Sequence, residues 1–192
     1  MVEMINKLVK AGIIEPCNAS YYSHAFLVPK PNGQWRMVVD FKNLNAATIK
    51  HHSWPIPNIK EMLIRMGRKR PRLFAVFDLT SGYYQIMLDE VSKEFTAFLT
   101  HNGVYRWVRL PMGLMGAGSH FQNILSTEVL ADFIHNFMEL YLDDGAVEAD
   151  NDDEFIERLR AVFRKFQEHN LTLNPSKCRL GLAQVEYVGH KL

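Results

Sequence analysis

Two apolar runs in this 192-residue chain end in carboxylates: Leu73-Phe74-Ala75-Val76-Phe77 runs into Asp78, and Phe137-Met138-Glu139-Leu140-Tyr141-Leu142 runs into Asp143-Asp144. A nearly continuous apolar run reads as a strand buried on both faces, and such a strand delivers the acid that follows it to the end of a sheet. If the two strands are neighbours, three carboxylates converge on one small volume, and like charges that close need cations to stay ionised. A site of that kind binds magnesium. Two ions roughly 3.5 to 4 Å apart activate a hydroxyl nucleophile and stabilise the leaving oxygen of an in-line phosphoryl displacement. Each signal is weak alone, because Asp-Asp also occurs in turns and helix caps. The combination makes phosphoryl transfer the chemistry to test.

The elements that must hold these acids follow from periodicity. Met4 to Ile14 has helical spacing closed by Pro16, and Ala25–Val28 and Trp35–Val39 flank the hairpin signal Asn32-Gly33, whose tip carries Lys30 and Arg36. Pro55 and Pro57 precede a helix predicted from about residue 59 to 66, and the basic run Arg65, Arg68, Lys69, Arg70, Arg72 reads as a loop, a solvated connector before anything else. Residues from Ser119 to about Phe137 read as helical. Asp152, Asp153 and Glu154 open a helix with the apolar stripe Phe155, Ile156, Leu159, Val162, Phe163, Phe166, and read as its N-terminus rather than as a metal site. Leu171–Leu173 and Val185–Val188 add short strands. Helices mixed with non-alternating strands make the class α+β.

Composition is globular, with 47% hydrophobic and 22% charged residues, and no apolar run reaches the roughly 18 residues of a membrane span, so no membrane partner is expected. Cys17 and Cys178 stand far apart, which supports neither a disulfide framework nor a zinc site and makes a reducing intracellular compartment the expectation. The net charge of +1 is a cancellation. Residues 1–72 hold 12 Lys and Arg against 4 Asp and Glu, net +8, and residues 73–192 hold 10 against 17, net −7. A basic half suits phosphates and an acidic half suits divalent cations, with two ordinary solvated surfaces as the plain alternative. The histidines show no ligand spacing, His51-His52 reads as an exposed pair, and Trp35, Trp54 and Trp107 read as packing residues.

Ordered motifs across the whole chain resemble a reverse transcriptase, in particular that of the gypsy class of LTR retrotransposons. They are Gly12-Ile13-Ile14-Glu15-Pro16, Leu27-Val28-Pro29-Lys30, Trp35 to Asn45, Phe77-Asp78-Leu79-Thr80-Ser81-Gly82-Tyr83-Tyr84-Gln85-Ile86, Leu110-Pro111-Met112-Gly113-Leu114, Phe121-Gln122, Tyr141-Leu142-Asp143-Asp144, Asn174 to Cys178 and Val188-Gly189-His190. The resemblance implies a right-hand polymerase with fingers in 1–54 and 86–116 and a palm in 55–85 and 117–192, its antiparallel sheet backed by helices, with no sequence left for a thumb. It implies RNA-directed DNA polymerase activity: a primer 3′-hydroxyl attacks a dNTP, with an RNA or DNA template. Asp78, Asp143 and Asp144 would hold two Mg²⁺ ions, Mn²⁺ being a substitute. Lys177 would give a proton to pyrophosphate. Lys30 and Arg36 would hold the triphosphate, Tyr83 would exclude a 2′-hydroxyl, and Met112 and Gln122 would lie on the nucleotide and template side. Tyr187 to His190 would be the primer-gripping strand pair. RNase H and integrase portions of a longer polyprotein are the implied partners, in a cytoplasmic retroelement particle and the nucleus. Read without the resemblance, Tyr83 is a strand aromatic, Gln122 a solvent-facing helix residue and Lys177 a loop charge.

One departure is Gly118, where the family usually has proline; a looser turn there is expected to lower efficiency and leave the metal site intact. The rival from another class is a catalytically silent nucleic-acid-binding relic, which the altered turn favours and the intact Asp78, Asp143, Asp144, Arg36 and Tyr83 oppose.

Overall fold

A computed structural model describes residues 1–31, 33–49 and 54–192. In chain order its first elements are α1 (Val2–Lys10), β1 (Ile14–Pro16), β2 (Ser23–Pro29), β3 (Trp35–Asp40), α2 (Lys42–Ala47), α3 (Ile59–Lys69), β4 (Leu73–Asp78), a 3₁₀ turn (Gly82–Gln85) and α4 (Glu90–Phe95). Then follow β5 (Phe98–Thr100), β6 (Gly103–Trp107), α5 (Ala117–Ile124), a π-helical turn (Leu125–Val129), β7 (Met138–Tyr141), β8 (Asp144–Ala149), α6 (Asp152–Glu168), β9 (Arg179–Leu182), β10 (Glu186–Tyr187) and β11 (His190–Lys191). Two compact units result, one from Met1–His52 and Tyr83–Ala117, the other from Ser53–Gly82 and Gly118–Leu192. Among the described residues no helix is long and apolar enough to cross a membrane, and both cysteines are free.

The first unit is a five-stranded sheet in the order β1-β6-β5-β2-β3, antiparallel except between β2 and β5. Its core gathers Ile5 from α1 with Ile14, Val39, Phe41, Phe98 and Trp107, and Tyr84 stacks on Trp107 at 5.3 Å. The apolar stripe of α1 buries Ile5 while its lysines stay out, which is why the sequence period there is helical.

In the second unit the sheet is wholly antiparallel, in the order β7-β8-β4-β9. β4 is covered on both faces, which explains its unbroken apolar run. Phe77 meets Phe166 of α6 edge-on at 5.3 Å, while Phe74 and Val76 pack on the other face with Met62 and Met66 of α3 and with Val185 and Tyr187. This is the antiparallel sheet backed by helices that the sequence leads one to expect.

Several boundaries differ. α3 runs on to Lys69, so Arg65, Arg68 and Lys69 are helical and Arg70 is its left-handed cap, φ 48°. Arg65 and Lys69 pair with the buried Glu139 and Glu148, and those pairs carry the helix through a run that reads as loop by composition. The helix expected from Ser119 to Phe137 is α-helical only to Ile124 and ends after the π-helical turn. Leu171–Leu173 forms only an isolated bridge, Leu79 with Leu173. Trp107 is a core residue, whereas Trp35 is 53% exposed and Trp54 40%. Asn32 and His51-His52 lie outside the described residues.

Candidate active site

Strand register brings the acids of the second unit together. β4 and β8 pair so that Asp78 faces Asp144, and the Leu79 N–H donates to the Asp143 carbonyl at 3.1 Å. Asp143 is the second residue of a two-residue turn closed by the Tyr141–Asp144 pair, and Leu142, the first, has φ 54°. A non-glycine residue there is strained, by about 1–3 kcal/mol, and persists because its surroundings fix it. Directly after Asp144, a Cβ on Gly145 would lie 2.2 Å from the Phe77 ring, so only glycine lets β8 close on β4 at this point.

The loop after α6 brings a cation to the acids. The Asn174 N–H donates to the Asp78 carbonyl at 2.9 Å, the Ser176 hydroxyl donates to Asn174 Oδ1 at 2.7 Å, and the loop folds back through the Lys177 and Cys178 N–H groups onto the Asn174 carbonyl. Lys177 Nζ thereby reaches Asp78 Oδ2 at 2.8 Å. Burial foremost, with the Asp78 charge adding to it, pushes the Asp143 carboxyl above the usual range. Asp144 is pushed the same way by burial and then by Asp143 and Asp78, with Lys177 opposing both. The hydrogen bond to Asp78 raises the Lys177 ammonium in turn.

All-carboxylate oxygen donors fit a hard divalent cation such as magnesium or manganese. Among the described residues the side chains are not gathered as a ready group of three ligands; the backbone holds Asp78, Asp143 and Asp144 as neighbours, and the ammonium of Lys177 sits on Asp78. The C-terminal hairpin docks on this site. Tyr187 is buried, and its hydroxyl donates to the Asp144 carbonyl at 3.2 Å. Val188 and Gly189, with φ 47° and 74°, make the tight turn between β10 and β11.

Gln122 is not the solvent-facing helix residue that it reads as without the resemblance. It is 1% exposed, and its amide is spent on the β7–β8 hairpin: Nε2 donates to the Leu140 carbonyl at 3.2 Å and to Ser126 Oγ at 2.9 Å, and Oε1 accepts from the Leu142 N–H at 2.7 Å. Its position in the sequence, one residue after a buried Phe121, carries no sign of this, because the partner is a turn 20 residues away.

The remaining expected site residues belong to the first unit. Register places Arg36 opposite Val28, and the Lys30 N–H bonds the Gln34 carbonyl, so strand alternation sets Lys30 and Arg36, both exposed, on one face of the β2–β3 hairpin. Tyr83 lies half-buried in the 3₁₀ turn, and Met112 is 55% exposed. Sequence reading gave no role to Asn45, which grips the glycine-rich turn after Pro111. Its Nδ2 donates to the Gly113 carbonyl and its Oδ1 accepts from the Met115 N–H, both at 2.8 Å. Asn174 is a second such residue. Both stand inside quoted motifs, and only the long-range bonds show what they do.

Comparison with known proteins agrees with this architecture. The structure of the foamy viral protease-reverse transcriptase in complex with RNA/DNA hybrid superposes with a TM-score of 0.89 over 99% of this chain and 25% of that one, at 23% identity, and the native prototype foamy virus protease-reverse transcriptase with 0.83 at 24% identity, over 97% and 24%. In sequence, the Drosophila melanogaster Pol polyproteins from transposons 412 and opus are 37% and 39% identical, each over 97% of this chain. A Schizosaccharomyces pombe transposon Tf2-3 polyprotein is 30% identical over the full chain. The chain spans only 15%, 19% and 14% of those three relatives. A family model described as Reverse transcriptase (RNA-dependent DNA polymerase) matches residues 28–192, and with that match over most of its length the chain belongs to the reverse transcriptase family.

Proposed function

We propose that this chain is the fingers-and-palm part of an RNA-directed DNA polymerase from a gypsy-class LTR retrotransposon, extending a primer 3′-hydroxyl with dNTPs on an RNA or DNA template. The observation that carries the reading is the register that sets Asp78 against Asp144, with Asp143 in the adjoining turn. The first unit is the fingers and the second the palm. Asp78, Asp143 and Asp144 hold two divalent ions, magnesium or manganese; when bound, these supply charge neutralisation for the attacking and leaving oxygens. Lys177 stands beside the acids to give a proton to the departing pyrophosphate. Lys30 and Arg36, exposed on one face of their hairpin, suit the triphosphate, since an ammonium and a guanidinium fork both neutralise phosphate oxygens. Tyr83 and Met112 serve the nucleotide side, and the β10–β11 hairpin bears on the primer. The working protein is a polyprotein that also carries RNase H and integrase portions, inside cells in the cytoplasmic particle and the nucleus.

Primer extension tests this directly: purified chain, Mg²⁺, dNTPs and primed RNA, beside an Asp143→Asn variant. Extension by the wild type and its loss in the variant are expected. Equal silence of the two overturns the catalytic reading for this chain and leaves the nucleic-acid-binding relic.

A further inference from the structure

We propose that Gln122 is a positioning residue for the reaction: it sets the place of Asp143 by locking the Leu142–Asp143 turn, and it makes no contact with nucleotide or template. This rests on the reading of Asp143 as a catalytic acid given above.

The turn needs such a lock. Leu142 holds a positive φ of 54° without being glycine, a conformation that the residue itself disfavours. The Gln122 carboxamide grips both sides of Tyr141, accepting from the Leu142 N–H at 2.7 Å and donating to the Leu140 carbonyl at 3.2 Å, so strand end and turn are tied to one planar group. The second amide proton goes to Ser126 Oγ at 2.9 Å, which fixes the amide's own rotation. Both donor protons are then used, and the side chain is buried, which leaves no donor to offer a substrate.

The same helix adds an apolar wall. A Cβ built on Gly82 would lie 2.9 Å from the Phe121 ring and 3.3 Å from Asp143 Cβ, so Gly82 and Phe121 close the space beside Asp143 while Gln122 holds the turn's backbone. A catalytic group held this way keeps its position in the free protein, and misplacement by about 1 Å costs on the order of 10²-fold in rate.

The test pairs hydrogen exchange with kinetics in Gln122→Met, a variant of similar length without the amide, and in Ser126→Ala, which removes only the outer bond. In Gln122→Met the Leu142 amide should exchange at least about tenfold faster, and the turnover rate of primer extension should fall about 10- to 100-fold with the KM for dNTP within about twofold. Ser126→Ala should move both readouts in the same direction by less. A raised KM at unchanged turnover overturns the proposal in favour of direct nucleotide contact. Faster exchange with unchanged turnover also overturns it, while the polymerase reading stands. If the wild type extends no primer, exchange alone decides, and unchanged Leu142 protection in both variants overturns the lock. Should Gln122→Met fail to fold, the graded effect of Ser126→Ala decides alone.

Discussion

Asp144 and Glu148 stand four residues apart on one face of β8, and the fold treats them in opposite ways. Burial is the leading cause that raises both carboxyls. At Glu148 the Lys69 ammonium, 2.5 Å away, pulls the value back down, and the neighbouring Glu139 is held by Arg65 through two bonds of 2.7 and 2.9 Å. At Asp144 the next influences are Asp143 and Asp78, which push further up, against Lys177 alone. One end of the sheet neutralises its acids with cations of its own helix; the other keeps three carboxylates against one ammonium. An acid cluster with excess charge costs stability, and a fold keeps it where an outside cation or proton does the balancing. What sets the proposed catalytic acids apart from the structural ones in this molecule is the local count of cations.

Removing one of the uncompensated acids should therefore abolish activity and spare the fold. Asp143→Asn is expected to cut primer extension by about 10³-fold or more, equivalent to roughly 4 kcal/mol, with a thermal midpoint equal to or above the wild type's, since a buried like charge is removed. A lowered midpoint would break the contrast. Gly145→Ala attacks the framework between the two ends, and its clash with Phe77 should cost about 3 kcal/mol in chemical denaturation. Glu139→Ala, at the compensated end, should cost about 2 kcal/mol: it strands Arg65, which is 35% exposed and recovers part of its hydration.

Glu148→Gln gives the smallest effect and the sharpest test. One of its carboxylate oxygens, Oε2, is buried without a hydrogen-bond partner among the described residues. Because the folded carboxyl titrates above its unfolded value, the native state binds its proton more tightly, and the wild type loses stability as pH rises through the interval between the two values. The glutamine variant lacks that loss. It should be more stable than the wild type by around 1 kcal/mol at pH 8, with the gain vanishing below the unfolded carboxylate range, as thermal melts across pH would show. A loss at pH 8 would mean that the Lys69 pair outweighs burial.

Much of this contrast can be read in the sequence, and the limits are physical. Asp78, Asp143 and Asp144 announce themselves because each follows an apolar run, and a strand's period and its end are local properties. The basic run at 65–72 misleads for the converse reason: its helical state depends on Glu139 and Glu148, some 70 to 80 residues away, so composition alone makes it a loop. Gln122 and Asn45 carry neutral side chains whose work is hydrogen bonding to distant backbone, while Asn174 reaches the Asp78 carbonyl through its own backbone N–H and spends its side chain on Ser176; no periodicity marks either. The motif resemblance implies a nucleotide- and template-side place for Gln122, and its bonds to the Leu140 carbonyl and the Leu142 N–H show only in the structure. Lys30 and Arg36 needed only the hairpin register, which Pro29 and Pro31 hide in sequence and the pairing of Val28 with Arg36 supplies.

The fit of the Phe77 ring into the space above Gly145 has a consequence for how this chain can vary. The two positions share one volume, so neither can change freely while the other is kept. A side chain at 145 becomes tolerable only after the ring at 77 has shrunk, and a shrunken ring alone leaves a hole against Phe166. Inheritance at these sites is thus coupled: Gly145→Ala and Phe77→Leu, each harmful singly, should together cost less than the sum of the two. Because residue 77 precedes Asp78 and residue 145 follows Asp144, the pair of acids is flanked on both strands by positions that drift cannot alter one at a time.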